Sequence, residues 1–171
     1  MIVGSVGYKM KKILTCGVIL ALGAFQLPAL ADDNKTAGSW SDLSDGITEN
    51  EKANITLTQT INASASDSAI TNKATFDKKI LDIPFPVSHE PIINLSTYSI
   101  IGPSGTESVF INEGKLTING TVGSVIDSNG SSSAAIFNGL GGLFLSNVTI
   151  NGGISMGSTP QNTNGTLQIG T

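Results

Sequence analysis

A short motif, Gly-x-Leu-x-(Ile/Leu), recurs in the second half of this 171-residue chain. Its three copies begin at Gly114, Gly141 and Gly165, so the spacings are 27 and 24 residues. Each copy supplies two apolar residues at alternate positions: Leu116 and Ile118, Leu143 and Leu145, Leu167 and Ile169. A period of about 25 residues that is built from strands and contains no helical segment predicts a solenoid, with one coil per repeat.

A single coil of two or three short strands cannot bury its own apolar side chains. Coils that stack about 4.8 Å apart pair their backbones with the coils above and below and share one apolar interior. The sequence therefore predicts an all-β chain, a right-handed parallel β-helix whose inward Leu and Ile alternate with outward polar residues. Phe110 and Phe137 share a place in the 27-residue repeat, and we expect them to stack in this interior.

Asparagine-glycine pairs recur through the repeat region and are compatible with two different folds. In a β-helix they suit corners, where the backbone takes left-handed angles. The same pairs are the strongest short-range signal for two-residue hairpins, so an antiparallel β-sandwich is the alternative fold. The matching apolar positions of the longer repeat favour the β-helix. The pairs begin at Asn119, Asn129, Asn138, Asn151 and Asn164.

The first part of the exported chain, residues 32–52, has helical periodicity. Trp40, Leu43 and Ile47 follow the i, i+3, i+7 spacing of one helix face, and Ser39 is a candidate N-cap with Asp42 three residues on. This segment predicts a short N-terminal capping helix, whose tryptophan plugs the open end of the solenoid.

Residues 53–91 are predicted to hold a first strand followed by an irregular lateral loop. Ile55 and Leu57 alternate with polar residues, as in a half-buried strand. The chain from residue 63 onward is polar and is then interrupted by Pro84, Pro86 and Pro91. Residues 92–171 are predicted to form the β-helix coils, incomplete at the C-terminus.

A secretory signal peptide is predicted over residues 1–31. Three lysines at positions 9, 11 and 12 precede an apolar run over 13–27, and Ala29 and Ala31 form an A-x-A cleavage site before Asp32. Translation from Met1 or from Met10 fits this pattern equally. We expect the Sec translocon to carry the chain across the inner membrane, to the periplasm, the cell surface or the exterior.

Composition excludes several classes of function for the exported part. It carries six lysines and thirteen acids, a formal net charge of −7, and the whole chain has no arginine. A negatively charged chain without guanidinium groups is a poor candidate for binding nucleic acid, so no nucleic-acid partner is predicted. The only cysteine, Cys16, lies in the signal, which leaves no disulfide and no thiolate nucleophile.

Five segments carry a resemblance to a known family: Ser39-Trp40-Ser41-Asp42-Leu43 leading through Ile47, Asn54-Ile55-Thr56-Leu57, residues 115–120, residues 136–139 and residues 142–150. With these the chain resembles the N-terminal end of an autotransporter passenger, of the kind related to the polymorphic outer-membrane proteins with a pectin-lyase-like β-helix. The resemblance implies display at the cell surface, an adhesion role and a ligand on a host or another cell.

One feature of that family has no counterpart in this sequence, the C-terminal outer-membrane barrel. The chain stops at Thr171, inside the third copy of the motif, so it is expected to be a fragment. An uncapped coil leaves backbone groups unpaired, and we expect end-to-end self-association.

The residues needed for catalysis on such a fold are sparse. From residue 92 onward the acids are Glu107, Glu113 and Asp127, whose spacing does not stack them one coil apart as a carboxylate pair requires. His89 is the only histidine, and we expect it to be a solvated loop residue. No catalytic residue, cofactor or metal is predicted. The leading hypothesis is a non-catalytic interaction protein; the alternative is the N-terminal fragment of a carbohydrate-active enzyme of the polysaccharide lyase or glycosidase type.

Overall fold

The computed structural model describes residues 33–50, 52–80, 83–139, 141–157 and 166–170. The chain divides between Ala31 and Asp32, and the described residues all belong to the second unit. The predicted signal peptide and its cleavage residues Ala29, Ala31 and Asp32 therefore lie outside the described residues.

Strands dominate the described residues and form three parallel sheets and one hairpin. Sheet A contains β1 (Asp33–Ala37), β2 (Ala53–Leu57), β7 (Ile92–Ser96), β10 (Leu116–Gly120), β13 (Gly142–Ser146) and β16 (Thr166–Gly170). Sheet B contains β3 (Ile61–Asn62), β8 (Ile100–Ile101), β11 (Val125–Asp127) and β14 (Thr149–Asn151). Sheet C contains β4 (Ile70–Asn72), β9 (Phe110–Asn112), β12 (Ile136–Asn138) and β15 (Ile154–Met156). The hairpin consists of β5 (Thr75–Ile80) and β6 (Ile83–Ser88), and helix α1 spans Trp40–Thr48.

The chain visits the three sheets in the same order again and again. Four successive passes each place one strand in sheet A, then one in sheet B, then one in sheet C, and strands of successive passes pair in parallel. The prediction of an all-β chain is confirmed at this level, a mostly β chain with parallel sheets. The antiparallel β-sandwich is wrong for the described strands, because antiparallel pairing occurs there only between β5 and β6.

Equivalent residues of successive Gly-x-Leu-x-(Ile/Leu) copies pair with one another in sheet A. Leu116 pairs with Leu143 and Leu143 with Leu167, which reproduces the spacings of the motif. Side chains of the first two copies point inward, and Leu116, Ile118 and Leu143 are fully buried with Leu145 nearly so. Ile169 pairs with Leu145 in β16, whereas Gly165 lies outside the described residues.

Sheets B and C each add one column of apolar residues to the same core. Because these strands are two or three residues long, each contributes a single inward side chain of this kind. In sheet B the paired column is Ile61, Ile100, Ile126 and Ile150. In sheet C it is Ile70, Phe110, Ile136 and Ile154.

Phe137 does not stack on Phe110, so that expectation is wrong. Phe110 pairs with Ile136 and is fully buried, while Phe137 pairs with Ile111 and is 39% exposed. The offset arises because Leu143 follows Ile136 by seven positions, whereas its ladder partner Leu116 follows Phe110 by six. A shift of one residue moves a strand side chain to the opposite face of the sheet.

Helix α1 lies where its apolar spacing predicts, packed on β1, β2 and β4. Ser39 accepts a hydrogen bond from the Asp42 N–H at 3.1 Å and caps the first turn. Hydrogen bonds from the Ser39 side chain and from the Gly38 N–H hold the pKa of Asp42 below its usual range. Trp40, Leu43 and Ile47 form the buried face, so the helix covers the core at the first pass of the chain.

The segment predicted to be an irregular loop, 63–91, contains β4 and the β5–β6 hairpin. In the hairpin register Pro84 lies opposite Lys79, and Pro86 opposite Asp77. Strand β6 pairs with β5 and has no other partner among the described residues, so its second edge is unpaired there. Proline is tolerated at such an edge, where no ladder hydrogen bond is lost, so the prolines do not break the strand.

Backbone conformation explains only part of the asparagine-glycine pattern. Asn129 and Gly130 have φ values of 54° and 71°, and Gly152 has 99°, so these are left-handed corners as expected. The pairs at 119–120 and 138–139 end strands β10 and β12 with ordinary φ, and the pair at 164–165 lies outside the described residues.

Candidate functional site

Three asparagines form a buried row along sheet C, here called the inner amide row: Asn72, Asn112 and Asn138. They occupy the last position of β4, β9 and β12, and each is fully buried. Asn72 donates its Nδ2–H to Asn112 Oδ1 at 2.6 Å, and Asn112 donates to Asn138 Oδ1 at 2.5 Å. Asn112 therefore accepts a hydrogen bond from the preceding pass of the chain and donates one to the following pass.

Backbone carbonyls complete the hydrogen bonding of this row. Asn112 Nδ2 also donates to the Gly142 carbonyl, and Asn138 Nδ2 donates to the Gly141 carbonyl, both at 3.2 Å. Oδ1 of Asn72 is buried without a hydrogen-bond partner in the part of the chain that the structure describes. A buried amide costs stability unless it is bonded, so the row ties sheet C to the turn that enters sheet A.

The sequence contains a short pattern that marks the inner amide row and is separate from the Gly-x-Leu-x-(Ile/Leu) motif. Each of the three strands reads apolar-x-Asn: Ile70-Thr71-Asn72, Phe110-Ile111-Asn112 and Ile136-Phe137-Asn138. The expectation that asparagine lies at corners rests on its tolerance of left-handed backbone angles. The side-chain hydrogen bonds give the stronger reason for its presence at these positions.

Close approach of two glycines fixes the turn beside this row. A Cβ on Gly141 would lie 1.5 Å from the Gly114 carbonyl oxygen, and a Cβ on Gly114 would lie 2.3 Å from the Lys73 carbonyl. Only glycine fits such contacts without a backbone shift. The glycine of the motif is thus a packing requirement between successive passes.

A second row of amides, the outer amide row, runs along the exposed side of sheet A. Asn54 donates to Asn34 at 3.0 Å, Asn94 to Asn54 at 2.6 Å and Asn119 to Asn94 at 3.2 Å. Its members are half-buried or exposed, so water reaches their remaining donors and acceptors.

An ion pair joins the residues near the starts of β7 and β10. Lys115 Nζ is 3.2 Å from Glu90 Oε2 and 5.8 Å from the centre of the Phe144 ring. A hydrogen bond from Ser88 Oγ at 2.9 Å lowers the pKa of Glu90, and the Lys115 ammonium lowers it further. Both charged side chains remain partly exposed, so the pair contributes little to stability.

His89 is buried, so the expectation of a solvated loop residue is wrong. It is 2% exposed, and its Nε2 lies 2.8 Å from the Asn50 carbonyl oxygen just after helix α1. Its own carbonyl accepts the Lys115 N–H at 3.2 Å. His89 therefore links the capping helix to the turn that enters β10, a contact that no local sequence pattern indicates.

The three acids considered for catalysis do not share a strand or a loop. Glu107 is exposed in the loop before β9, Glu113 is exposed just after β9, and Asp127 ends β11. Asp127 accepts hydrogen bonds from the Asn151 side chain at 3.2 Å and the Asn129 N–H at 2.7 Å. Within the described ranges no group of three or more His, Cys, Asp or Glu residues could hold a metal ion.

Loops that connect sheet B to sheet C form a polar surface, here called the loop stack. It consists of residues 63–69, 102–109 and 128–135, which link the two sheets in successive passes. In the next pass the connection between β14 and β15 is only Gly152 and Gly153. Loop 128–135 is therefore not covered by a following loop of equal length.

Hydrogen bonds hold the two larger loops together. Ser131 Oγ donates to the Glu107 carbonyl at 2.7 Å, and the Ser132 N–H donates to the Gly105 carbonyl at 2.9 Å. Ser133 Oγ donates to the Thr106 carbonyl. At the base of the loops the Gly102 N–H donates to the Asp127 carbonyl at 2.8 Å.

The chemistry of the loop stack is hydroxyl-rich and acidic. Its three segments contain many serines, one threonine and the acids Asp67 and Glu107, but no basic residue. Ser104, Thr106, Asn129 and Ser132 are exposed on it. Such a surface offers short hydrogen-bonding side chains to a partner and repels anionic polymers.

Comparisons with known proteins found no matching family, no matching curated protein and no matching solved structure. Among the residues that the structure describes, no helix is both long enough and apolar enough to span a membrane.

Proposed function

We propose that the described strands are successive coils of a right-handed parallel β-helix, and that the protein is an exported scaffold which presents the loop stack to a binding partner. The observation that carries the proposal is the repeated order of sheets A, B and C in four successive passes, the first three of which each place a loop between sheets B and C. A scaffold of this kind holds loops in fixed relative positions on a rigid support.

Binding without catalysis is the activity that the side chains support best. Asp127 is engaged by two hydrogen bonds, and Glu107 and Glu113 are exposed without a neighbouring acid from the next pass in register. The loop stack instead offers exposed hydroxyl groups from two successive loops, those of Ser104, Thr106 and Ser132. The partner is a polar surface on a host or another cell, as the resemblance to an autotransporter passenger implies.

Export is tested by the mass of the mature protein. Produced from its own start in a Gram-negative host, the exported protein should begin at Asp32, after cleavage between Ala31 and Asp32. A mature protein that begins at a diacylated Cys16 would contradict the secretory signal and make the chain a lipoprotein.

Binding is tested with the labelled, purified exported protein on cultured epithelial cells. A loop variant, Ser104→Lys with Ser132→Lys, changes two exposed positions of the loop stack. The matched control, Thr36→Lys with Thr56→Lys, makes the same change of charge at exposed positions of sheet A. We expect saturable binding that the loop variant weakens and the control preserves. Absence of saturable binding, or equal loss in both variants, would contradict the proposal.

The gene downstream of Thr171 distinguishes this function from the alternative. A region of alternating strands that closes a barrel supports a displayed passenger. Further coils with clustered acids would instead support a carbohydrate-active enzyme of the lyase or glycosidase type.

A further inference from the structure

We propose that Asn129 is a site of spontaneous deamidation, a chemical modification that converts an amide of the loop stack into a carboxylate while the protein is folded. Four asparagine-glycine pairs lie in the described residues, at 119–120, 129–130, 138–139 and 151–152. The folded structure restrains three of them and leaves the pair at 129–130 open.

The reaction needs only water. The Gly130 nitrogen attacks Cγ of Asn129, a C–N bond forms, and the N–H proton goes to the side-chain nitrogen, which leaves as ammonia. Water then opens the resulting cyclic imide at one of its two carbonyls and yields aspartate or isoaspartate. Glycine favours the attack because it has no side chain to hinder the approach of the nitrogen to Cγ.

Asn129 and Gly130 meet the requirements of this reaction. Both are exposed, and a Cβ placed on Gly130 would meet nothing within 4 Å. Neither the Asn129 side-chain amide nor the Gly130 N–H has a hydrogen-bond partner in the described part of the chain. The turn is held by the Ser131 N–H, which donates to the Ser128 carbonyl at 3.0 Å, and by the Asn129 N–H, which donates to Asp127 Oδ1 at 2.7 Å. Neither bond belongs to a sheet ladder, so the turn can open without disturbing the sheets.

Asn138 is the most strongly protected of the four. Its side chain belongs to the buried inner amide row and donates to the Gly141 carbonyl. The nitrogen that would attack, Gly139 N, donates instead to the Asn112 carbonyl at 2.8 Å. Deamidation here requires that the row and the neighbouring sheet come apart.

Asn119 and Asn151 are restrained by their side chains and their strands. Asn119 lies in β10 and donates to Asn94 Oδ1, and Asn151 ends β14 and donates to Asp127 Oδ2. Asn119 pairs with Ser146 in the parallel ladder, so its backbone cannot rotate toward an imide without breaking that ladder. Each restraint lowers the fraction of time that the asparagine-glycine pair spends in the geometry required for imide formation.

The experiment compares the four pairs within one protein. The purified protein is held in mildly alkaline buffer, folded in one sample and unfolded in urea in another, and each peptide is followed by the mass change that accompanies replacement of NH2 by OH. In the folded sample we expect Asn129 to react at least about tenfold faster than Asn119, Asn138 and Asn151. In urea the four rates should converge, because all four sites have the same following residue.

Two results would overturn the proposal. One is a folded protein in which Asn138 or Asn151 reacts as fast as Asn129. The other is a folded protein in which Asn129 stays intact while the unfolded sample is fully converted. An Asn129→Ser variant identifies the peptide, since its mass change must disappear while the other three sites are unaffected.

Discussion

The inner amide row makes a sharp prediction about stability, because Asn112 bonds at once to two fully buried amides and to one part-buried carbonyl. The substitution Asn112→Ala would leave Asn72 Nδ2, Asn138 Oδ1 and the Gly142 carbonyl without their partner. Each buried polar group deprived of its hydrogen bond costs about 1–3 kcal/mol. Neighbours relax and water enters the space, so we expect the lower part of the summed range, about 3–5 kcal/mol.

The outer amide row provides the matched control. Asn119→Ala removes the same side chain from a similar row, but Asn119 is half-buried and its side chain makes one hydrogen bond within the described residues, to Asn94. Water can replace that bond, so the expected loss is about 0.5–1 kcal/mol. The difference between the two variants isolates burial, since the residue type and the substitution are the same.

The free energy of unfolding is measured in urea by far-ultraviolet circular dichroism and by fluorescence of Trp40, the only tryptophan. A domain of this size has about 5–15 kcal/mol in total, so a loss of 3–5 kcal/mol shifts the urea midpoint strongly. Equal losses for Asn112→Ala and Asn119→Ala would refute the reasoning, because the inner row would then carry no more stability than an exposed one.

Three further predictions test the packing and the charges. Leu143→Asp places a charge in the core beneath sheet A and should cost several kcal/mol by urea unfolding, whereas Lys115→Ala should cost at most about 1 kcal/mol, since it removes a partly exposed ion pair. The lowered pKa of Glu90 stabilises the fold above pH 4.5 and that contribution is lost as pH falls through the lowered value, so Glu90→Gln should lower the urea midpoint slightly at neutral pH and not in strong acid. Gly141→Ala should lower the thermal midpoint markedly because its Cβ meets a carbonyl oxygen, while Gly139→Ala, whose Cβ has ordinary contacts, should change it little; similar midpoints would show that the backbones do not approach as described.

Sequence periodicity predicted the parts of the fold where a strand is long enough to carry a pattern. Strands β7, β10 and β13 of sheet A show two inward apolar residues each, so Leu116 and Leu143 reveal both the repeat and its spacing. Strands of sheets B and C have two or three residues, and one inward side chain such as Ile126 carries no period. Their existence follows only from the pairing of one pass with the next.

Errors of the sequence analysis have local physical causes. Equal spacing between passes would place Phe137 inside, but the step from Ile136 to Leu143 is one position longer than the step from Phe110 to Leu116. Proline was taken to end regular structure, although Pro84 and Pro86 lie on a hairpin strand with a free edge. The environment of His89 depends on Asn50, 39 residues earlier, and no local pattern contains such a contact.

Parallel pairing between passes is the central claim, and cross-strand nuclear Overhauser effects between backbone protons test it most directly. The account predicts parallel contacts at Leu116 with Leu143 in sheet A, and at Ile126 with Ile150 in sheet B, within the same folded molecule. An antiparallel ladder across the pair at 119–120, with Ile118 facing the residues that follow the turn, would contradict it.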